Sequence, residues 1–135
     1  MRWKALAIRW ILNAVTVTSL LAIAPIVSGC ERGAPQMPAG LLTSRAAQDA
    51  GAALFAAHCA LCHGVNGDGH GQRRDAIDPP PANLTLPPWS EAERAGTVFL
   101  AIRDGVPGTA MPSWPTLSDD QIWNVVAYVH ALNSP

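Results

Sequence analysis

Cys59-Ala60-Leu61-Cys62-His63 brings two thiols and an imidazole into five consecutive residues. Two cysteines separated by two residues, with histidine next, is the arrangement for covalent haem attachment. Each thiol adds to one vinyl group and forms a thioether, and the histidine is placed beneath the iron as proximal ligand. Zinc is the competing chemistry for such a cluster. A tetrahedral zinc site normally takes four Cys or His ligands in two pairs, and the sequence has no second cysteine pair. The third cysteine, Cys30, stands alone, and an odd number argues against a disulfide framework.

A haem iron has a second axial position, and Met111 is the residue expected to fill it. It lies in Gly105-Val106-Pro107-Gly108-Thr109-Ala110-Met111-Pro112, between the haem motif and the last helix. A thioether is a soft, neutral donor, and Met/His ligation raises the potential. Pro112 biases Met111 toward an extended backbone. Met37 reads as a linker residue. His70 is seven residues from His63, too close in a short loop to reach the opposite side of the iron. His58 and His130 read as surface or packing residues.

The elements that must position these groups are helical. Arg45 to Ala57 is alanine-rich, and Ser44 can cap it. Ala47, Ala50, Gly51, Leu54 and Phe55 fall on one face. Gly51 weakens a helix interior by about 1 kcal/mol against alanine, which points to close approach by another helix. Gly64 to Gly71 holds four glycines in eight residues and reads as a loop. Asp78-Pro79-Pro80-Pro81-Ala82-Asn83-Leu84 is a stiff extended stretch, since proline fixes φ and donates no amide hydrogen bond. Ser90-Glu91-Ala92-Glu93 is a capping box that opens a helix from Glu91 to Arg103, closed by Asp104-Gly105. Ser118-Asp119-Asp120-Gln121 caps the last helix, whose apolar face is Ile122, Val125, Val126, Val129 and Leu132.

The first thirty residues differ in kind. Arg2, Lys4 and Arg9 precede an apolar stretch from Ile11 to Val27, and no acid occurs before Glu31. This is the layout of a secretory signal peptide over residues 1–29. The stretch ends Val27-Ser28-Gly29-Cys30 and resembles the lipobox of bacterial lipoproteins, which implies lipid on Cys30. An uncleaved membrane anchor is the alternative, near the lower limit of length for spanning. Residues 30–44 hold Gly33, Pro35, Pro38 and Gly40 and read as a lipidated N-terminus and flexible tether. Residues 45–135 are then one small domain of the 135-residue chain. The whole chain has nine basic and ten acidic residues; without the three basic residues of the leader, six face ten. Nucleic-acid binding would need a basic patch, and that balance supplies none.

From Ala47 to Leu132 the sequence resembles the class I cytochrome c family. In that family a glycine and an aromatic, eight and four residues before the first haem cysteine, lie where the first and last helices cross. Gly51 and Phe55 hold those places, with Tyr128 the matching aromatic on the last helix. The resemblance implies an all-α fold, with three main helices and loops around one covalent haem c. It also implies that a proline-containing segment gives a backbone carbonyl to the haem histidine, here from Pro80 or Pro81. Arg103 and Trp114 are candidates to hydrogen-bond a haem propionate; surface charge and simple packing are the alternatives.

The implied function is single-electron transfer on the exported side of a membrane, facing the periplasm. Expected partners are redox proteins such as an oxidase, a quinol-oxidising complex or a dehydrogenase. Two filled axial positions leave no place for a small-molecule substrate, so the chain is not expected to be an enzyme by itself. A haem-based sensor or peroxidase-like protein, which needs an accessible iron, is the alternative.

Overall fold

The computed structural model describes residues 33–86 and 91–133, with the backbone alone for 91–93. The leader, Cys30 and the Ser90 cap lie outside the described residues. Among the described residues four α-helices occur: α1, Arg45–His58; α2, Ala60–His63; α3, Glu91–Asp104; and α4, Asp119–Ala131. No strand occurs among the described residues. The three expected helices are present to within a residue or two of their expected ends. The fourth, α2, is a single turn formed by the haem motif itself.

Helix ends form where the side chains can satisfy free backbone amides. Ser44 Oγ accepts from the Ala47 N–H at 3.3 Å and starts α1. Ser118 and Gln121 form a reciprocal capping box at the start of α4, with bonds of 2.9 and 3.3 Å. Asp119 and Asp120 stand in that first turn, where the helix dipole favours negative charge.

Helices α1 and α4 cross at Gly51. A Cβ placed there would fall on the Asn124 carbonyl and lie 2.9 Å from Tyr128 Cβ. Only glycine lets the two backbones approach this closely. One turn along, the Phe55 and Tyr128 rings pack with centroids 5.2 Å apart. Ile122, Val125, Val126 and Val129 are buried as the helical stripe requires, whereas Leu132 is half-buried. Helix α3 and the 3-10 turn Leu41–Thr43 also meet α4, so Trp123 and Ala127 are buried too. The Trp123 ring lies 4.5 Å from that of Phe99.

The stretch expected to be a tether packs against the core where the structure describes it, from residue 33. Leu42 is buried, and the Gln48 side chain donates to its carbonyl at 2.7 Å. Met37 and Ala34 pack against the core. The few apolar residues there lack periodicity, but Leu42 is buried and Ala34, Met37 and Leu41 pack beside it on the core. The folded part thus begins before residue 45.

Gly51→Leu is expected to lower the stability of the haem-loaded protein by about 3 kcal/mol, because neither backbone can yield. Thermal unfolding checks this, and an unchanged Tm would mean that the helices do not meet at Gly51.

Candidate haem site

The motif residues sit where α1 ends. Cys59 closes α1 and opens α2; its carbonyl accepts from the N–H groups of Cys62 and His63 at 3.1 and 2.9 Å. In a helical turn, positions three apart share one face, so the two thiols stand together. Both are free and half-buried. Burial, with the neighbouring Cys62 adding to it, pushes the Cys59 thiol up to about 11. It is therefore a neutral S–H at physiological pH.

The glycine loop after His63 folds back over α2. Gly69 donates to the His63 carbonyl at 2.8 Å, and Gly71 to that of Cys62 at 3.2 Å. Gly69 has φ of +80°, and a Cβ there would lie 2.8 Å from the Pro81 carbonyl oxygen. The proline segment is thereby laid against the loop, fastened by Leu84 N–H to Gly67 O at 2.7 Å. This arrangement corrects the expected partner of His63. The carbonyl beside His63 Nδ1 belongs to Ala82, at 3.1 Å, and not to Pro80 or Pro81. Gly69 packs against the Pro81 carbonyl, and the carbonyl one residue further along the extended chain reaches the imidazole. A carbonyl only accepts, so the proton is on Nδ1 and the neutral ring keeps its lone pair on Nε2.

Cys59, Cys62, His63 and Met111 all border one cavity of about 370 Å³. Its walls are mainly apolar and come from α1, α3, α4, the proline segment and the loop before α4. Met111 is fixed through its backbone. Its N–H donates to Thr109 Oγ1 at 3.1 Å, and its carbonyl accepts from Val106 at 3.1 Å. Thr109 Oγ1 in turn donates to Val106 O at 2.8 Å, which closes the loop on itself.

The other named residues divide. Trp114 borders the cavity, and its indole N–H is buried without a partner. Arg103 does not border it; its guanidinium is held by Asp104 at 2.9 and 3.0 Å and lies over the Phe99 ring. His70 is exposed, bonded to Asp68, and away from the cavity. His58 borders the cavity and packs edge-on against Trp114 with centroids 5.3 Å apart. Ala82 and Thr109 escaped sequence reasoning. A carbonyl acceptor has no side-chain signature, whereas a threonine two residues before the methionine was a usable signal.

The residues present fit haem c. An apolar slot holds two thiols on one face, an imidazole with a fixed tautomer and a thioether in a fastened loop. The orphaned Trp114 donor calls for an acceptor, which a propionate would supply. Bound there, haem supplies one-electron iron chemistry; Cys59 and Cys62 would hold it covalently, and His63 and Met111 would be its axial ligands. Trp114→Phe keeps the ring and deletes the donor. The haem-loaded variant is expected to lose about 1.5–3 kcal/mol of stability in denaturant unfolding, the worth of a hydrogen bond to a charged group. No loss would leave the indole N–H without that role.

Residues 46–129 match the family described as cytochrome C oxidase, cbb3-type, subunit III. The chain is similar to the cbb3-type cytochrome c oxidase subunit FixP of Azorhizobium caulinodans, 39% identical over 83 residues. That alignment takes in 61% of this chain and 26% of the relative. The subunit CcoP of Rhodobacter capsulatus is 35% identical over 91 residues, 62% of this chain and 28% of its own. The chain thus spans about a quarter of the length of these relatives. Among solved structures it resembles the Kuenenia stuttgartiensis reducing HAO-like protein complex Kustc0457/Kustc0458. The TM-score is 0.57 and the identity 30%, over 66% of this chain and 44% of that one. The chain belongs to the family of cbb3-type cytochrome c oxidase subunit III, and its folded part is a class I c-type cytochrome domain.

Proposed function

We propose that this chain is a membrane-tethered monohaem cytochrome c that carries single electrons between redox proteins on the exported side of the membrane. The observation that carries this reading is the meeting of Cys59, Cys62, His63 and Met111 on one apolar cavity. With haem bound, His63 and Met111 would fill both axial positions, an arrangement suited to electron exchange rather than to binding a substrate at the iron. The soft thioether favours the reduced iron, and the His63 hydrogen bond to Ala82 pulls the other way by making the imidazole more basic. The balance suits a carrier that both accepts and donates.

The relatives named as cbb3-type oxidase subunits favour an oxidase as redox partner. This chain would serve it as a separate small carrier or as a bound subunit. A quinol-oxidising complex or a dehydrogenase would stand at the donating end. Cys30, after Val27-Ser28-Gly29, supplies the lipid anchor. Export also brings the chain to the side of the membrane where haem is attached.

Two measurements test the reading. The exported protein should give a six-coordinate, low-spin c-type absorption spectrum. Met111→Ala should abolish the far-red sulfur-to-iron band and open the reduced iron to carbon monoxide; a wild type that already binds carbon monoxide readily would favour a sensor or peroxidase-like role. Cys30→Ser should leave the leader uncleaved by the lipoprotein route and remove lipid from the protein. Retention of a lipidated, membrane-bound product after that change would overturn the anchor.

A further inference from the structure

The proline segment is held from a second side, by the end of α4. Asn133 follows that helix, and its side-chain Nδ2 donates to the Leu84 carbonyl and, at 3.3 Å, to that of Val129. The orientation of the amide is decided by its surroundings. Two carbonyl oxygens face one end, so that end must be the NH₂ group, since an oxygen there would meet two acceptors. The price is a buried Oδ1 with no partner.

What the donor end holds is Leu84. This residue is gripped twice: its N–H by Gly67 O at 2.7 Å, and its carbonyl by Asn133. Just beyond it, Asn83 Oδ1 accepts from the Thr85 N–H and hydroxyl at 2.9 and 2.7 Å. Two residues before Leu84 is Ala82, whose carbonyl receives the His63 Nδ1 proton. Ala82 and Asn83 are themselves exposed, and the Ala82 carbonyl is set between the close approach of Gly69 on one side and the fastening at Leu84 on the other.

We infer that Asn133 is a positioning residue for the haem histidine: it anchors Leu84 to α4 and so aims the Ala82 carbonyl at His63. This rests on the reading of His63 as an iron ligand. Loss of the anchor loosens the Ala82 bond, makes the imidazole less basic and shifts the iron toward the reduced state.

The test uses the haem-loaded protein and Asn133→Leu, which keeps the shape and the charge but deletes both donated bonds. Proton NMR of the reduced protein follows solvent exchange of the His63 ring N–H, and redox titration follows the potential. Expected are ring-proton exchange roughly tenfold faster and a reduced-to-oxidised ratio at fixed poise about threefold higher. Asn133→Gln, which retains a donor, should restore both in part and serves alone if the leucine variant does not fold. A variant that melts lower while either quantity is unchanged would overturn the inference and make Asn133 a helix-end residue only. Failure of the ligation reading is separate: the unaltered protein would then show no His63 ring-proton signal shifted by haem.

Discussion

The crossing of α1 and α4 at Gly51 is the constraint on which the remainder rests. With no side chain between them, the helices meet backbone to backbone, and Phe55 is pressed against Tyr128. The same contact carries the end of α1, with Cys59, up to the apolar face of α4. Phe55, Val125 and Val129 then become one wall of the cavity that Cys59 and Cys62 also border. A bulkier residue at Gly51 would push the motif away from its own pocket wall. The site is thus a product of helix packing before it is a product of ligand chemistry.

Hydrogen bonds refine what packing places. On the histidine side, glycines at 67 and 69 let the loop lie flat against the proline segment, which delivers the Ala82 carbonyl. On the methionine side, Thr109 ties Met111 to Val106 within a six-residue loop. Each ligand is held by backbone contacts that do not involve its coordinating atom. A site fixed in this way need reorganise little when the iron changes oxidation state, and that suits rapid electron exchange.

Much of this was legible in the sequence, and the parts that were not share a cause. The haem motif, Met111-Pro112, Gly51 and the two capping residues Ser44 and Ser118 each announce themselves by residue type and spacing. Three helices followed from capping residues and apolar periodicity together. What escaped were interactions made by groups that every residue carries. The Ala82 carbonyl could not be told from those of Pro80 and Pro81, because the choice depends on how Gly69 stacks on the segment. The pairing of Arg103 with Asp104, its neighbour in sequence, likewise had no signature beyond two opposite charges side by side. Leu42 was too isolated to signal burial, yet it holds the segment before α1 on the core.

Met37 also packs against that core, so two methionines of the folded part are ordered near the haem-binding body. Proton NMR of the reduced, haem-loaded protein separates them. A methionine methyl on the iron is carried far upfield by the ring current. The account predicts that this signal is present, survives Met37→Ala and is lost in Met111→Ala. Its survival in Met111→Ala, or its absence from the unaltered protein, would contradict axial ligation by Met111 and the closed, electron-carrying site built on it.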